Sequence, residues 1–264
     1  MNKPYNKSWT ELLLSAAGLG GFILIWELSG RAGLLPGTLI PLPSQVPQAL
    51  AREMALPGIG LPGGLWMAKV LQSLGHYLRG VLGGIGAGVI LGLTAGSLPK
   101  LAALLQGLVR LLRPIPPLAW IPFAIIWFGI TPAASAFIIF VGVFWINFLS
   151  TLGTVQHSNP DFREVAHVFG FGRFLPRLLH VTIPESLPGM LTGIRTSLGM
   201  GWMAVVASEL FGIPGIGERM NQAAGLLATD IVLVYMLTIA GLYTLFDSAF
   251  SLIQRRLTRW LPKE

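Results

Sequence analysis

The chain has 264 residues, of which 53% are hydrophobic and 11% charged, and its mean hydropathy is +0.69. Soluble domains carry about 25% charged residues because their surface has to be solvated, so this composition excludes a water-soluble enzyme, and its wealth of apolar residues excludes a disordered chain. With no cysteine, disulfides, thiolate metal sites and cysteine nucleophiles are impossible, and the net charge of +7 reads as basic cytoplasmic loops rather than as nucleic-acid binding.

A helix needs about 20 apolar residues to cross a bilayer, and six segments meet that requirement. The first runs from about Leu12 to Leu28 behind a basic start with Lys3 and Lys7. That start resembles a signal peptide, but the apolar run is long enough to read as an uncleaved span. From Arg31 to about Trp66 the chain is rich in proline and glycine, which predicts a loop with short helices. The second span lies within Val70–Ser97, and the third within Leu101–Ile130, interrupted by Pro114, Pro116, Pro117 and Pro122. The fourth is Pro132–Leu152, the fifth Leu187–Leu210 and the sixth Ile231–Ile253, with a polar segment, His157–Ser186, between the fourth and fifth. The expectation is an all-α, polytopic membrane bundle of six transmembrane helices. Residues 1–69 form a tail, first helix and external loop, and residues 70–264 form the transmembrane core with a cytoplasmic loop at 153–186.

Basic residues near span ends set the orientation. With the N-terminus inside, Lys3, Lys7, Lys100, Arg163, Arg173, Arg177, Arg255, Arg256, Arg259 and Lys263 are cytoplasmic, against Arg31, Arg52, Lys69 and Arg219 outside. Both termini are then cytoplasmic, and so is the polar segment.

The second span carries Gly80, Gly84, Gly88, Gly92 and Gly96, each four apart, and the fifth repeats the device with Gly189, Gly193, Ser197 and Gly201. That spacing places small residues on one helix face, where another backbone can approach closely. Tight packing explains it, and a moving helix contact is the alternative. The prolines of the third span each remove a backbone donor. They predict a broken helix of the kind that marks transport sites, a kinked helix, or a helix pair joined by a proline turn.

Enzyme chemistry has no foothold. The chain lacks the H-E-x-x-H, G-x-S-x-G and G-x-x-x-x-G-K-[ST] patterns, so no catalytic, metal or cofactor residues are assigned and the chain is not expected to bind ATP itself. His157, His167 and His180 are spaced unlike a metal site and read as solvated loop residues. Glu27, Arg79, Arg195, Glu209 and Asp247 lie within or near spans, most of them close enough to an end for snorkelling. No acidic group stands out near the midplane, which weighs against a self-contained channel or secondary carrier, the main alternative.

The polar segment contains Asn159-Pro160-Asp161-Phe162-Arg163-Glu164-Val165-Ala166-His167-Val168-Phe169-Gly170. Asn159 or Asp161 can cap a short helix there, with Pro160 acceptable at its start. Phe162, Val165, Ala166 and Phe169 fall at i, i+3, i+4 and i+7, one apolar face, and Gly170 suits a C-terminal turn. Such a face belongs in a groove on a partner protein or on the membrane surface.

Here the sequence resembles the transmembrane permease subunits of binding-protein-dependent ABC importers. Their loop signature is E-A-A, three residues, Gly, nine residues, then I-x-L-P. Glu164-Val165-Ala166, Gly170 and Ile183-Pro184 stand in its places. Val165 replaces the middle alanine, and Pro184 lies fourteen positions after Gly170 instead of thirteen, which leaves the register over Leu178–Val181 open. Arg113–Pro122, Ile126–Ile130, Trp26-Glu27-Leu28, Val205–Leu210 and the Arg255-Arg256 tail look like the nitrate/sulfonate/taurine/bicarbonate branch.

The resemblance implies the type I importer permease fold in a bacterial inner membrane. It also implies a second permease subunit, expected to be an identical copy, two cytoplasmic ATPases carrying ATP and Mg, and a periplasmic substrate-binding protein. The substrate is expected to be a small solute, foremost an anion such as a sulfonate, taurine, nitrate or bicarbonate. Asp161, Phe162, Glu164, Val165, Ala166, Phe169, Gly170 and Pro184 then form the ATPase-coupling element. Trp120, Phe128, Trp202, Met203 and Ser208 are expected to line the path.

Overall fold

In a computed structural model the described residues are 9–37, 39–60, 62–158, 168–171 and 173–260. They are helical throughout, with no strand among them. The helices are α1 (Trp9–Arg31), α2 (Val46–Ala55), α3 (Gly64–Ser97), α4 (Pro99–Leu112), α5 (Ile121–Phe128), α6 (Pro132–Gln156), α7 (Phe174–Arg177), α8 (Ile183–Glu209), α9 (Ile216–Gly225) and α10 (Thr229–Leu257). Short 3₁₀ turns, Pro43–Gln45 and Pro117–Trp120, precede α2 and α5. Prolines punctuate the chain as their missing N–H dictates: Pro99, Pro132 and Pro184 each sit in the opening turn of a helix.

Four of these helices are long and apolar enough to span a bilayer: residues Leu13–Arg31 of α1, then α3, α6 and α10. The predicted third span is a broken pair, with α4 and the segment Pro117–Phe128 bent by 84°. Pro114 and Pro116 lie in the break, where neither can donate to a helical ladder. Of the readings left open for this segment, a smoothly kinked helix is excluded. The predicted fifth span is α8, 27 residues long, which carries Glu185, Arg195 and Glu209 and is less apolar than the four.

The chain divides into two compact units. The first comprises the described residues within Met1–Val70, Arg219–Gly241 and Arg259–Glu264. In it, Glu27 of α1 accepts from Arg31 at 2.7 Å and from the Ser44 hydroxyl at 2.8 Å, tying the helix end to the loop. The α2 residue Glu53 is 1% exposed and accepts from Arg219 at 2.6 and 3.0 Å and from the Tyr235 hydroxyl at 2.8 Å. Burial pushes the Glu53 carboxyl up, but the hydrogen bonds from Arg219 and Tyr235 and the Arg219 charge outweigh it and leave the group below its ordinary value.

The second unit holds the described residues within Leu71–Glu218 and Leu242–Thr258. Its seam is the predicted glycine stripe. A Cβ on Gly84 would lie 2.8 Å from the Val143 side chain, on Gly88 2.8 Å from the Phe144 carbonyl oxygen, and on Gly92 2.7 Å from Thr151 Cβ. Gly80 and Gly96 meet Ile139 and Val155 in the same way. The five α6 residues in these contacts, at positions 139, 143, 147, 151 and 155, are themselves four apart, so two straight stripes close on each other. On the other side of α6, Gly189 and Gly193 of α8 admit Thr154 and Ser150, and the Ser150 hydroxyl donates to the Gly189 carbonyl at 2.9 Å. The predicted packing role of both small-residue stripes is what the structure contains.

Candidate functional site

The described part of the polar segment and the expected path fall in the second unit. Asp161, Phe162, Glu164, Val165 and Ala166 of the coupling element lie outside the described residues. Its C-terminal end is described. Val168 is 85% exposed and Phe169 74% exposed, and Gly170 follows with φ of +83°. That left-handed conformation is one a side chain resists and glycine accepts, so it suits the turn that ends the segment.

Beyond the turn, Phe171 stacks on His180 with ring centroids 5.1 Å apart. The chain then winds through α7 into a five-residue π-helical turn, Leu178–Thr182, in which the Ile183 N–H donates to the Leu178 carbonyl. A π ring closes over five residues where an α ring closes over four, so this turn takes up one residue more. One residue is the surplus between Gly170 and Pro184. Leu178 and Ile183 pack on the core of Leu93, Val155 and Met190, while Leu179 and His180 point outward and Pro184 is half-buried in the first turn of α8.

The expected path residues occupy three settings. Trp120 and Phe128 meet through Phe137, with centroids 6.3 and 5.4 Å from it, in an aromatic group that includes Phe123 and Trp127. Trp202 is buried on α8 and stacks on Tyr77 of α3 at 4.4 Å, while the Tyr77 hydroxyl donates to the Leu198 carbonyl at 3.1 Å. Gly201 makes room for that ring, since a Cβ there would sit 3.0 Å from Tyr77. Ser208 is fully buried, donates to the Val205 carbonyl at 2.8 Å and lies 2.6 Å from the Ser135 hydroxyl. Met203 is the most exposed of the five, at 69%, ahead of Phe128 at 43%.

Snorkelling does not explain Glu209, contrary to the expectation from its place near a span end. Its side chain is fully buried. The carboxylate lies 2.8 Å from the Ser73 hydroxyl through both oxygens, 2.8 Å from His76 Nδ1 and 2.8 Å from the Gly217 N–H. A carboxylate only accepts, so the proton of His76 is assigned to Nδ1. The Ser73 oxygen in turn accepts from the Ile216 N–H at 2.8 Å. Ile216 and Gly217 open α9, whose first N–H groups have no partner within their own helix. Glu209 and Ser73 satisfy them, and the negative charge suits a helix N-terminus. Gly215 must lack a side chain, because a Cβ there would collide with the Glu209 carboxylate.

Elsewhere in the unit Arg195 donates to both oxygens of Asp247 at 2.7 Å, a bidentate pair between α8 and α10. No cluster of three or more histidine, cysteine or acidic side chains fit to hold a metal occurs among the described residues.

Residues 84–259 match the family described as the binding-protein-dependent transport system inner membrane component. The chain is similar to the taurine transport system permease protein of Escherichia coli, at 31% identity over 95% of this chain and 90% of that one. It is likewise similar to the bicarbonate transport system permease protein of Synechococcus elongatus, at 30% identity over 97% of this chain and 93% of that one. The chain belongs to the binding-protein-dependent permease family, as the loop signature implied. It is a multi-pass membrane component of an ABC importer, and its part is transport rather than chemistry.

Proposed function

We propose that this chain is one of two identical permease subunits in a bacterial inner membrane, with both termini cytoplasmic. In this reading a periplasmic binding protein delivers the solute, and two cytoplasmic ATPases, which bind the ATP and Mg, drive its passage. Six crossings result when α8 and the broken segment are counted with the four long apolar helices. The solute is a small anion, in keeping with the taurine and bicarbonate named for the two relatives.

The observation that carries the reading is the pair of exposed apolar side chains, Val168 and Phe169, ahead of the Gly170 turn. An aromatic ring held in water at the end of a polar loop gains roughly 1.5–3 kcal/mol when buried, and a groove on an ATPase supplies that burial. At helical spacing Phe162, Val165 and Ala166 would extend the apolar face of Phe169 toward the N-terminal side, with Asp161 and Glu164 completing the coupling element. Leu178 and Ile183, packed on Leu93, Val155 and Met190, give the loop a purchase on α3, α6 and α8 through which a displacement is transmitted. Met203, exposed beside buried Trp202, is the side chain of the five best placed to touch the solute, with Trp120, Phe128 and Ser208 shaping the wall behind it.

The test is co-purification of the ATPase subunit with the Phe169→Asp variant and with Glu164→Arg/Phe169→Asp. The expected result is loss of the ATPase from a permease that still inserts and elutes as a monodisperse species. Normal co-purification of both variants refutes the docking assignment.

A further inference from the structure

The helix that the proline break leaves behind has surfaces that no transmembrane helix needs. α4 has 14 residues and buries none of them. Its positions fall into three arcs. Leu101, Leu105, Val109 and Leu112 are half-buried, and Leu105 and Val109 border a cavity of about 260 Å³ shared with Phe148 and Leu152 of α6, so this arc faces the protein. Leu104, Leu108 and Leu111 follow at i, i+4 and i+7 and are 74%, 53% and 69% exposed, an apolar arc turned away from it. Lys100, Gly107, Arg110 and Arg113 form the third arc, three of them cationic, with Ala103 and Gln106 joining it to the rim of the same cavity, and all six are exposed.

A helix crossing the hydrocarbon core would carry Arg110 and Arg113, about 15–20 Å along the axis from Lys100, to the depth of the acyl chains. A helix lying in the interface presents the protein on one side, acyl chains on the second and headgroups on the third. The 84° bend to the segment Pro117–Phe128 turns α4 across the direction of the next crossing.

The three cations find no counter-charge on the helices of their own stretch of chain. Between Glu53 and Asp161 the chain contains no acidic residue, so α3, α4, α5 and α6 offer the three cations no counter-charge. We propose that α4 lies in the plane of the membrane and docks on anionic lipid headgroups through Lys100, Arg110 and Arg113, with Leu104, Leu108 and Leu111 in the acyl chains. The helix is then a lipid-binding element joining the first crossing of the second unit to the next.

The chain has no cysteine, so single spin labels need no background substitutions. With the full-length chain in phosphatidylcholine/phosphatidylglycerol vesicles, labels at Leu104→Cys, Leu108→Cys and Leu111→Cys are expected to collide with oxygen, and labels at Ala103→Cys and Gly107→Cys with an aqueous nickel chelate. Leu104 and Leu111 are expected at equal depth. A depth difference of about 10 Å between them, the rise of seven helical residues, overturns the proposal, as does protection of the leucine labels from both reagents, which means that protein covers the face. The headgroup contact is read separately, by phosphatidylglycerol molecules retained on the intact chain in native mass spectrometry. Each membrane-surface cation is worth about five-fold, so Lys100→Gln/Arg110→Gln/Arg113→Gln is expected to lower retention at least five-fold. Unchanged retention overturns the lipid assignment.

Discussion

Replacing Glu209 by alanine tests the buried cluster most directly. The side chain is fully buried and takes hydrogen bonds from three donors, the Ser73 hydroxyl, His76 Nδ1 and the Gly217 N–H. Truncation strands all three away from water. A stranded buried donor costs roughly 1–3 kcal/mol, and breaking a buried charged pair from one side costs about 3–5 kcal/mol. Some donors find new acceptors as the site relaxes, because Ser73 and His76 lie one helical turn apart. The expected loss is therefore about 3–5 kcal/mol, a large part of the ~5–15 kcal/mol that holds a typical domain together. His76→Ala removes one donor, leaves the carboxylate its other two, and is expected to cost about 1–2 kcal/mol. The assay is reversible unfolding in mixed micelles followed by tryptophan fluorescence, with amide exchange of the α9 N-terminus as the local readout. A Glu209→Ala chain within 1 kcal/mol of the parent, with Gly217 still protected, refutes the argument that this carboxylate holds the helix start.

Three further outcomes follow from contacts already described. Gly88→Ala places a methyl group 2.8 Å from the Phe144 carbonyl oxygen and 3.0 Å from the Phe148 nitrogen, so about 1–3 kcal/mol of overpacking is expected. Gly86→Ala on the same helix meets nothing within 4 Å and is expected to be neutral or slightly stabilising, and equal melting of the two variants would contradict the seam. Glu53, outside the spans, has its carboxyl held below the ordinary value of 4.5. A depressed carboxyl contributes stability that is complete above 4.5 and is lost as pH falls through the folded value. Exchange protection of α2 is thus expected to hold from neutral pH down to about 4.5 and to drop below it, and Glu53→Gln to remove that acid-side drop. The coupling variants above add a fourth outcome, read by ATPase co-purification.

What was legible in the sequence is what depends on local periodicity. Gly80 to Gly96 announce a flat helix face because glycine every fourth residue has no other use. The opposing residues of α6 carry ordinary side chains and give no such sign. The four prolines announced an interruption, but the 84° bend depends on how α4 and α5 pack, which no proline encodes. The surplus residue before Pro184 could be counted, whereas the π turn that absorbs it depends on Leu178 and Ile183 both reaching the same core. Glu209 was misread because hydropathy places a residue by distance from a span end, and its partner His76 is 133 positions away. A serine-glutamate pair at the end of a span, followed within eight residues by a glycine-flanked helix start, was the available hint.

The interdigitated stripes of α3 and α6 have a mechanical consequence. A slide of one residue along the seam would carry β-carbons into positions where the present fit leaves no clearance, and the next matching alignment lies four residues on, about 6 Å away. The pair therefore behaves as a toothed plate, stiff against small axial slips. Motion in the second unit is thrown onto its other joints, the proline break and the π turn, where the ladder of regular hydrogen bonds is already interrupted.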